Sequence, residues 1–193
     1  VFILRQADFK RMLAYSSVEH MGVLALGVGL GGAAVFGAML HAVNHSLTKA
    51  MLFFVAGNIL TLYRSKSTRE VRGVLRALPV SGALWVAGFL AITGSPPFGP
   101  FLSEFTIFRA AVDQGHPITA VLYLALLALI FVGMAGVVLR MSHGASTAPA
   151  ACESWPSIAP PAVLGACVLV LGLYIPGPLH RLLLEAAQTL GGR

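Results

Sequence analysis

Five long apolar stretches constrain the fold of this chain more than any other feature. They run over about 12–30, 35–63, 78–112, 120–141 and 161–175. A bilayer core about 30 Å thick needs about 20 mostly apolar residues per helix. Only 10% of the 193 residues are charged and 57% are hydrophobic, whereas soluble domains are roughly 25% charged. The sequence therefore predicts an all-α, polytopic membrane bundle of about five transmembrane helices.

The third stretch is interrupted by GSPPFGP at 94–100. A proline inside a helix removes a hydrogen bond and clashes with the preceding turn, so Pro96, Pro97, Gly99 and Pro100 predict a helix break. Irregular backbone at membrane depth must be buried in protein or line a wet cavity, and broken helices are typical of ion transporters. Alternatively, the segment is a surface loop that joins a span to a short interfacial helix.

The Lys and Arg residues predict the topology. Nine of them lie in 1–11, in the 64–76 loop or at Arg140, whereas the opposite ends carry Arg181, Arg193 and, if it emerges there, Arg109. The positive-inside rule places the N-terminal end in the cytoplasm and the C-terminus outside. We therefore expect a multi-pass protein of the inner (cytoplasmic) membrane. The net charge of +6 is spread over short segments between apolar runs, which does not indicate a nucleic-acid partner.

Composition also divides the chain. A Ser/Thr/Pro/Ala-rich linker at 143–160 separates a membrane domain fragment, 1–142, from a final transmembrane helix with an amphipathic tail, 161–193. The tail is expected to lie at the membrane interface. The first residues, 1–5, resemble the end of an apolar helix, so we expect a piece of a longer protein. Cys152 and Cys167 predict two inert thiols with Cys167 buried, and no metal site or disulfide.

A ladder of basic side chains lies inside the second stretch. His41, His45 and Lys49 are four residues apart, so they share one helix face over about 12 Å. Ionisable groups in a bilayer are costly and usually mark an ion or proton path. A buried lysine can lose and regain a proton, and imidazole can carry one, while Asn44 beside the ladder can donate or accept. Alternatively, Lys49 is permanently paired with a carboxylate, and the histidines are packed structural residues.

Two further acidic positions lie in apolar stretches. Glu104 follows Pro100 by four residues, which predicts a place in the first turn of the resumed helix. It is either a helix-start acid stabilised by the dipole or a carboxylate that exchanges protons. Glu19 and His20 are adjacent and therefore point about 100° apart. We expect at most one of them to line a given cavity, and either could be an interhelical contact.

Three motifs resemble a known family. The strings DFKRMLAYSSVEHMG, HAVNHSLTKAMLFFVAGNI and SPPFGPFLSEF cover 7–105. They resemble the antiporter-like, proton-conducting membrane subunits shared by respiratory complex I, Mrp-type cation/proton antiporters and membrane-bound hydrogenases. Within that family the similarity is greatest to the hydrogenase-4 component F group.

The resemblance implies a fold and a set of roles. The family has about 14 transmembrane helices, including two inverted five-helix repeats that each contain a broken helix. This chain would correspond to the tail of helix 9 and helices 10 to 14. Glu104 matches the proton-exit position, and Lys49, His45 and His20 match polar positions on the central hydrophilic axis. A glutamate of helix 5 and lysines of helices 7 and 8 would lie upstream of this chain.

The leading functional hypothesis is a non-catalytic, proton-translocating subunit of a redox-driven complex. Protons would move along the buried His/Lys/Glu axis already named, and electron transfer would belong to partner subunits because this chain carries no cofactor motif. The expected partners are other membrane subunits, peripheral redox subunits and the lipid bilayer. The alternatives are a subunit of an Mrp-type cation/proton antiporter and a non-conducting membrane scaffold.

Overall fold

The computed structural model describes residues 6–191, and helices make up about three quarters of them. Four helices are long and apolar enough to cross a membrane, and a fifth crossing consists of two shorter helices in series. The prediction of an all-α membrane bundle with one broken helix is confirmed. Within the described residues the elements are α1 (Phe9–Leu30), α2 (Ala33–Tyr63), α3 (Val74–Ala77), α4 (Pro79–Ile92), α5 (Gly99–Asp113), α6 (Pro117–Ser142), α7 (Trp155–Leu173) and α8 (Gly177–Thr189).

The first hairpin has clear local causes. The Asp8 side chain accepts hydrogen bonds from the backbone amides of Lys10 and Arg11, at 2.8 and 3.1 Å, and so satisfies donors that a helix start leaves unpaired. Gly31 and Gly32 follow α1 with φ of 73° and 53°. Side chains disfavour this left-handed region, so the two glycines allow a tight reversal into α2.

Helix α2 is the centre of the bundle. It is the longest helix, with 31 residues, and it packs against α1, α4, α5, α7 and α8. The main apolar core lies where α1, α2, α4 and α6 meet, and the Phe9 and Trp85 rings contact edge to face at 5.9 Å within it. One face of its middle is buried against these neighbours and carries His41, Asn44, His45, Thr48 and Lys49, whereas Ser46, Phe53 and Phe54 lie on an exposed face.

The loops form two opposite ends. At one end, Thr147 donates its backbone amide to the carbonyl of Arg72 at 3.3 Å. There the Glu153 carboxylate also accepts from the first amides of α4, at Val80 and Ser81. At the other end, the Gln114 side chain donates to the carbonyl of Gly31 at 3.3 Å. Successive spans therefore run in alternate directions, with the 64–78 and 143–154 loops at the same end.

Two expectations about the last span were wrong. Helix α7 begins at Trp155 rather than Pro161, inside the segment predicted as a linker. Proline in the first turn sacrifices no intrahelical bond, and an apolar helix tolerates further prolines where neighbours satisfy the backbone. Cys167 is exposed on α7 rather than buried, because its side of the helix faces away from the bundle. Both cysteines are free.

Candidate functional site: a buried histidine cluster at a broken helix

The interruption of the fifth crossing lies at 93–98, between the end of α4 and the start of α5. Pro96 and Pro97 lie inside it. Gly99 and Pro100, predicted as part of the break, instead form the first turn of α5, where a proline is well accommodated. Glu104 is therefore in the second turn of α5. The sequence had predicted the first turn, so that expectation was wrong. It lies beyond the first-turn amides that would stabilise a simple helix-start acid.

Glycines let two polar side chains approach the backbone of the break. A Cβ atom at Gly94 would overlap Oε2 of Glu104, and one at Gly99 would overlap Oδ1 of Asn44. Gly172 on α7 similarly makes room for the carbonyl of Pro97. The Glu104 carboxylate thus lies directly against the non-helical segment, and Asn44 lies against the start of α5.

Three helices contribute to a hydrogen-bonded chain centred on His41. Its Nε2 lies 2.9 Å from Nδ1 of His20 on α1, and its Nδ1 lies 2.9 Å from Oγ of Ser103 on α5. If the Ser103 hydroxyl donates to the carbonyl of Pro100 at 2.8 Å, it accepts from Nδ1 of His41, and His20 donates to Nε2 of His41. If Ser103 donates to His41 instead, His41 donates to Nδ1 of His20, and the other nitrogen of His20 can donate to the carbonyl of Ile92. The chain therefore has two complete sets of tautomers, which differ by a shift of every proton along it.

His45 packs onto this chain through its ring. The His20 and His45 ring centroids are 4.6 Å apart, and those of His41 and His45 are 6.2 Å apart. Among residues 6–191, Nδ1 of His45 is a buried atom without a hydrogen-bond partner. One nitrogen from each ring lies within 4.8 Å of the others, a spacing that could hold a metal ion. Both nitrogens of His41 already make hydrogen bonds, so the arrangement also suits proton transfer from ring to ring.

Lys49 occupies the end of the ladder nearer the basic loops. Its Nζ donates to the carbonyl of Leu13 and to Oγ of Ser16, both at 2.5 Å, and only 6% of the residue is exposed. Across the described part of the chain, no carboxylate oxygen lies within 4.0 Å of Nζ. Lys49 is therefore not paired with a carboxylate among the described residues, contrary to the alternative of a permanent pair. Lys49 is held instead by neutral oxygens of α1.

Glu19 and His20 diverge around α1. His20 belongs to the cluster and also lies beside the carbonyl of Ile92, at the end of α4. Glu19 instead lines a cavity between α1 and α6. It is close enough to Lys49 and to Glu104 to interact electrostatically with both.

Sequence reasoning missed three residues at this site. Ser103 connects His41 to α5, Gly94 accommodates the Glu104 carboxylate, and Tyr123 on α6 lines a cavity together with Glu104. Ser103 directly precedes Glu104, and Gly94 is the first residue of the proline segment. Their position next to predicted site residues was the signal that could have identified them. Tyr123 carries a lone hydroxyl in an apolar span, which was the one signal available for it.

Comparison with known proteins agrees with this architecture. Residues 1–135 match the family described as "NADH:quinone oxidoreductase/Mrp antiporter, TM". The chain belongs to this family. It is therefore a membrane-embedded, multi-pass, antiporter-like chain, as its motifs had indicated.

Individual relatives agree with this membership. A hydrogenase-4 component F homolog of Methylacidiphilum infernorum is 40% identical over 124 residues, which are 64% of this chain and 26% of that protein. A chain of the membrane-bound sulfane sulfur reductase, an archaeal respiratory membrane complex, superposes with a TM-score of 0.81 at 28% identity, over 98% of this chain and 39% of that one. A chain of respiratory complex I from Thermus thermophilus superposes with a TM-score of 0.76 at 28% identity, over 99% of this chain and 42% of that one.

The chain thus spans about a quarter of the curated relative and about two fifths of the solved chains. Both structural neighbours are subunits of multisubunit membrane complexes. The matched region contains α1, α2, α4 and α5, so the histidine cluster and the broken helix lie within the part that identifies the family.

Proposed function

We propose that this chain is part of a membrane subunit that moves protons for a redox-driven complex of the hydrogenase-4/formate hydrogenlyase or NADH:quinone oxidoreductase type. One observation carries the proposal: titratable side chains from α1, α2 and α5 meet, buried, at the break of a transmembrane helix. Groups of this kind are expensive in a bilayer and are retained where ions or protons pass. The pathway consists of Lys49, His45, His20, His41 and Glu104.

The order of transfer follows from the contacts. Lys49 lies level with the first turns of α1, and His45 and His20 come next, in ring contact. A proton that passes from Nδ1 of His20 to Nε2 of His41 releases another from Nδ1 of His41 toward Ser103. Glu104, the next residue along α5, is the proposed acceptor at the break. Adjacent side chains on a helix point about 100° apart, so this last step requires a bridging water. Asn44 holds the start of α5 in position beside the histidines.

The names of the relatives support redox coupling. The hydrogenase-4 component, the sulfane sulfur reductase and complex I all belong to systems named for redox reactions. In this proposal electron transfer belongs to peripheral redox subunits, and this chain is a non-catalytic partner among other membrane subunits. Redox energy then reaches it through contacts within the complex.

The proposed orientation places the N-terminal end and the 64–78 and 143–154 loops in the cytoplasm of a cell with an inner membrane. The described residues at that end include eight Lys or Arg side chains: Lys10, Arg11, Arg64, Lys66, Arg69, Arg72, Arg76 and Arg140. This asymmetry matches the positive-inside rule, and it leaves α8 and the C-terminus outside. We retain the division into a conducting part, 1–142, a linker and a final part as a proposal. The linker is shortened to 143–154 and the final part extended to 155–193, because α7 begins at Trp155.

The test uses the full-length protein within its complex. We expect Lys49→Gln and, separately, Glu104→Gln to lower proton pumping into inverted vesicles about tenfold or more, a barrier increase of about 1.4 kcal/mol for each factor of ten. Lys66→Gln and Glu185→Gln change exposed residues of the same types and should pump normally. Wild-type pumping in both buried variants would overturn the proposal.

The alternatives give different outcomes in the same experiment. Loss of assembly with no change in proton flux per assembled complex would favour a scaffold. Flux that responds to a Na⁺ gradient without redox substrate would favour a subunit of a cation/proton antiporter.

A further inference from the structure

Tyr123 lies between two cavities that each contain a carboxylate. A cavity of about 570 Å³ between the break, α5 and α6 is lined by Glu104 and Tyr123. A second cavity of about 450 Å³, between α1 and α6, is lined by Glu19 and Tyr123. The ring of Tyr123 packs between Val23 of α1 and Ile107 of α5. Tyr123 thus lines both cavities and separates one from the other.

These three residues each have a buried oxygen without a hydrogen-bond partner among residues 6–191: Oε2 of Glu19, Oη of Tyr123 and Oε1 of Glu104. Tyr123 is 7% exposed and Glu104 is 5% exposed. Leaving such atoms unpaired is costly, so buried polar groups normally bond to protein or to ordered water. Both cavities are large enough for water molecules, and each is lined by two of these three residues, so each offers the smallest number of polar partners that a buried water needs.

The chemistry of the phenol suits a link between two carboxyl groups. A tyrosine hydroxyl has one donor hydrogen and oxygen lone pairs that accept. Tyr123 interacts electrostatically with both Glu104 and Glu19, and Glu19 interacts in turn with Lys49. Lys49, Glu19, Tyr123 and Glu104 thus form a series of neighbouring groups on the side of the bundle where α1 and α6 meet. The histidine cluster joins Lys49 and Glu104 on the α2 side.

We infer that Glu19 and Tyr123 form a second branch from Lys49 to Glu104 that bypasses the histidine cluster, with the Tyr123 hydroxyl as its relay. This inference rests on the proposed function. In the transfer step, protonated Glu19 gives its proton to the Tyr123 oxygen, directly or through water, while the hydroxyl proton of Tyr123 passes to the Glu104 carboxylate. Glu19 ends as a carboxylate, Glu104 ends neutral, and Tyr123 is unchanged.

Parallel branches predict a specific pattern of variants in the full-length protein. Tyr123→Phe and Glu19→Gln should each lower the proton flux by at most about twofold because the histidine branch still conducts, and the double variant should be no worse than either single change because both act on one branch. Combining Tyr123→Phe with His41→Phe should reduce the flux to the background of vesicles without the protein. The matched controls are Tyr174→Phe and Glu185→Gln at exposed positions, which should leave the flux unchanged.

A spectroscopic measurement separates a relay from a structural role. The infrared carbonyl band of protonated Glu104, identified by its loss in Glu104→Gln, should move to higher wavenumber in Tyr123→Phe because the carboxyl loses the water-mediated link to the phenol that the branch requires. This measurement does not depend on proton flux, so it can be made on a variant that does not pump. A band that stays in place in Tyr123→Phe would overturn the branch.

The flux results also distinguish the two proposals. The second branch is overturned if Tyr123→Phe has wild-type flux and the double variant Tyr123→Phe/His41→Phe has the same flux as His41→Phe alone. That result would leave the main pathway intact. Wild-type flux in both Lys49→Gln and Glu104→Gln overturns the proposed function itself.

Discussion

His41 holds the candidate site together at the level of single residues. It is fully buried and uses both ring nitrogens, toward His20 on one side and Ser103 on the other. Hydrogen bonds at both nitrogens fix the orientation of the ring, and each nitrogen can either donate to its partner or accept from it. Any proton that leaves His41 at Nδ1 therefore meets Ser103 first, which makes this serine a positioning residue for the cluster.

Ser103→Ala tests that role. The change removes the hydrogen-bond partner of Nδ1 of His41. In a Tyr123→Phe background, where the histidine cluster is the remaining branch, we expect proton flux in vesicles to fall about tenfold, a modest share of what positioned proton-transfer groups contribute. With both branches present, the fall should be about twofold. The free energy of unfolding should fall by about 1–3 kcal/mol because a buried donor loses its partner, which thermal denaturation in detergent can detect.

Ser142→Ala is the matched control for the serine. Ser142 is equally buried, but its hydroxyl bonds only to the carbonyl of Val138 in its own helix. Its flux should equal that of the wild type. If Ser103→Ala also pumps normally while His41→Phe does not, the serine has no part in transfer.

At the scale of elements, the break between α4 and α5 brings backbone and carboxylate together. The prolines account for the interruption itself, but the glycines decide what approaches it. Gly94 has φ of +64° and adjoins the Glu104 carboxylate. Gly94 therefore meets two requirements at once, a left-handed backbone and the absence of a side chain.

Gly94→Ala should displace the Glu104 carboxylate. The new methyl group would overlap Oε2, so we expect a proton flux close to that of Glu104→Gln. We also expect a loss of about 1–2 kcal/mol in the free energy of unfolding from the left-handed backbone. Flux in vesicles and denaturation in detergent measure the two effects separately.

Gly115→Ala isolates the backbone effect. Gly115 has φ of +77°, and a Cβ atom there meets nothing within 4 Å. It should lose a similar amount of stability and keep full flux. Equal flux in the two alanine variants would show that contact between Gly94 and Glu104 is irrelevant to transport.

At the scale of the whole molecule, the alternating spans leave two chemically different ends. The end with the 64–78 and 143–154 loops carries most of the basic residues, and the other end carries α8. Helix α8 buries Leu183 and Ala187 and exposes Arg181 and Leu182. This pattern is consistent with a helix that lies against the bundle at the membrane surface.

Thiol labelling tests the orientation. In a full-length protein whose other cysteines have been replaced, exposed Cys152 should react with a membrane-impermeant maleimide in inverted vesicles and not in intact spheroplasts. A Gln188→Cys variant that lacks Cys152 should react in spheroplasts only. The opposite pattern would place the basic end outside and reverse the proposed direction of the pathway.

Much of the fold was predictable because its causes are local. The spans follow from apolar runs that must match the bilayer, and the break follows from the prolines at 96 and 97. The errors arose where a local signal had two meanings. Prolines near Trp155 suggested a linker but lie in the first turns of α7, and the apolar context of Cys167 suggested burial although that side of α7 faces outward.

The sequence by itself determined the number of crossings, the position of the break and the face shared by His41, His45 and Lys49, because helix periodicity and bilayer thickness act on neighbouring residues. Only the tertiary structure decided which residues meet that face. His20 and Ser103 are 21 and 62 positions from His41. The packing of α1 and α5 on α2 brings them within hydrogen-bonding distance, and no local pattern encodes side-chain directions across three helices.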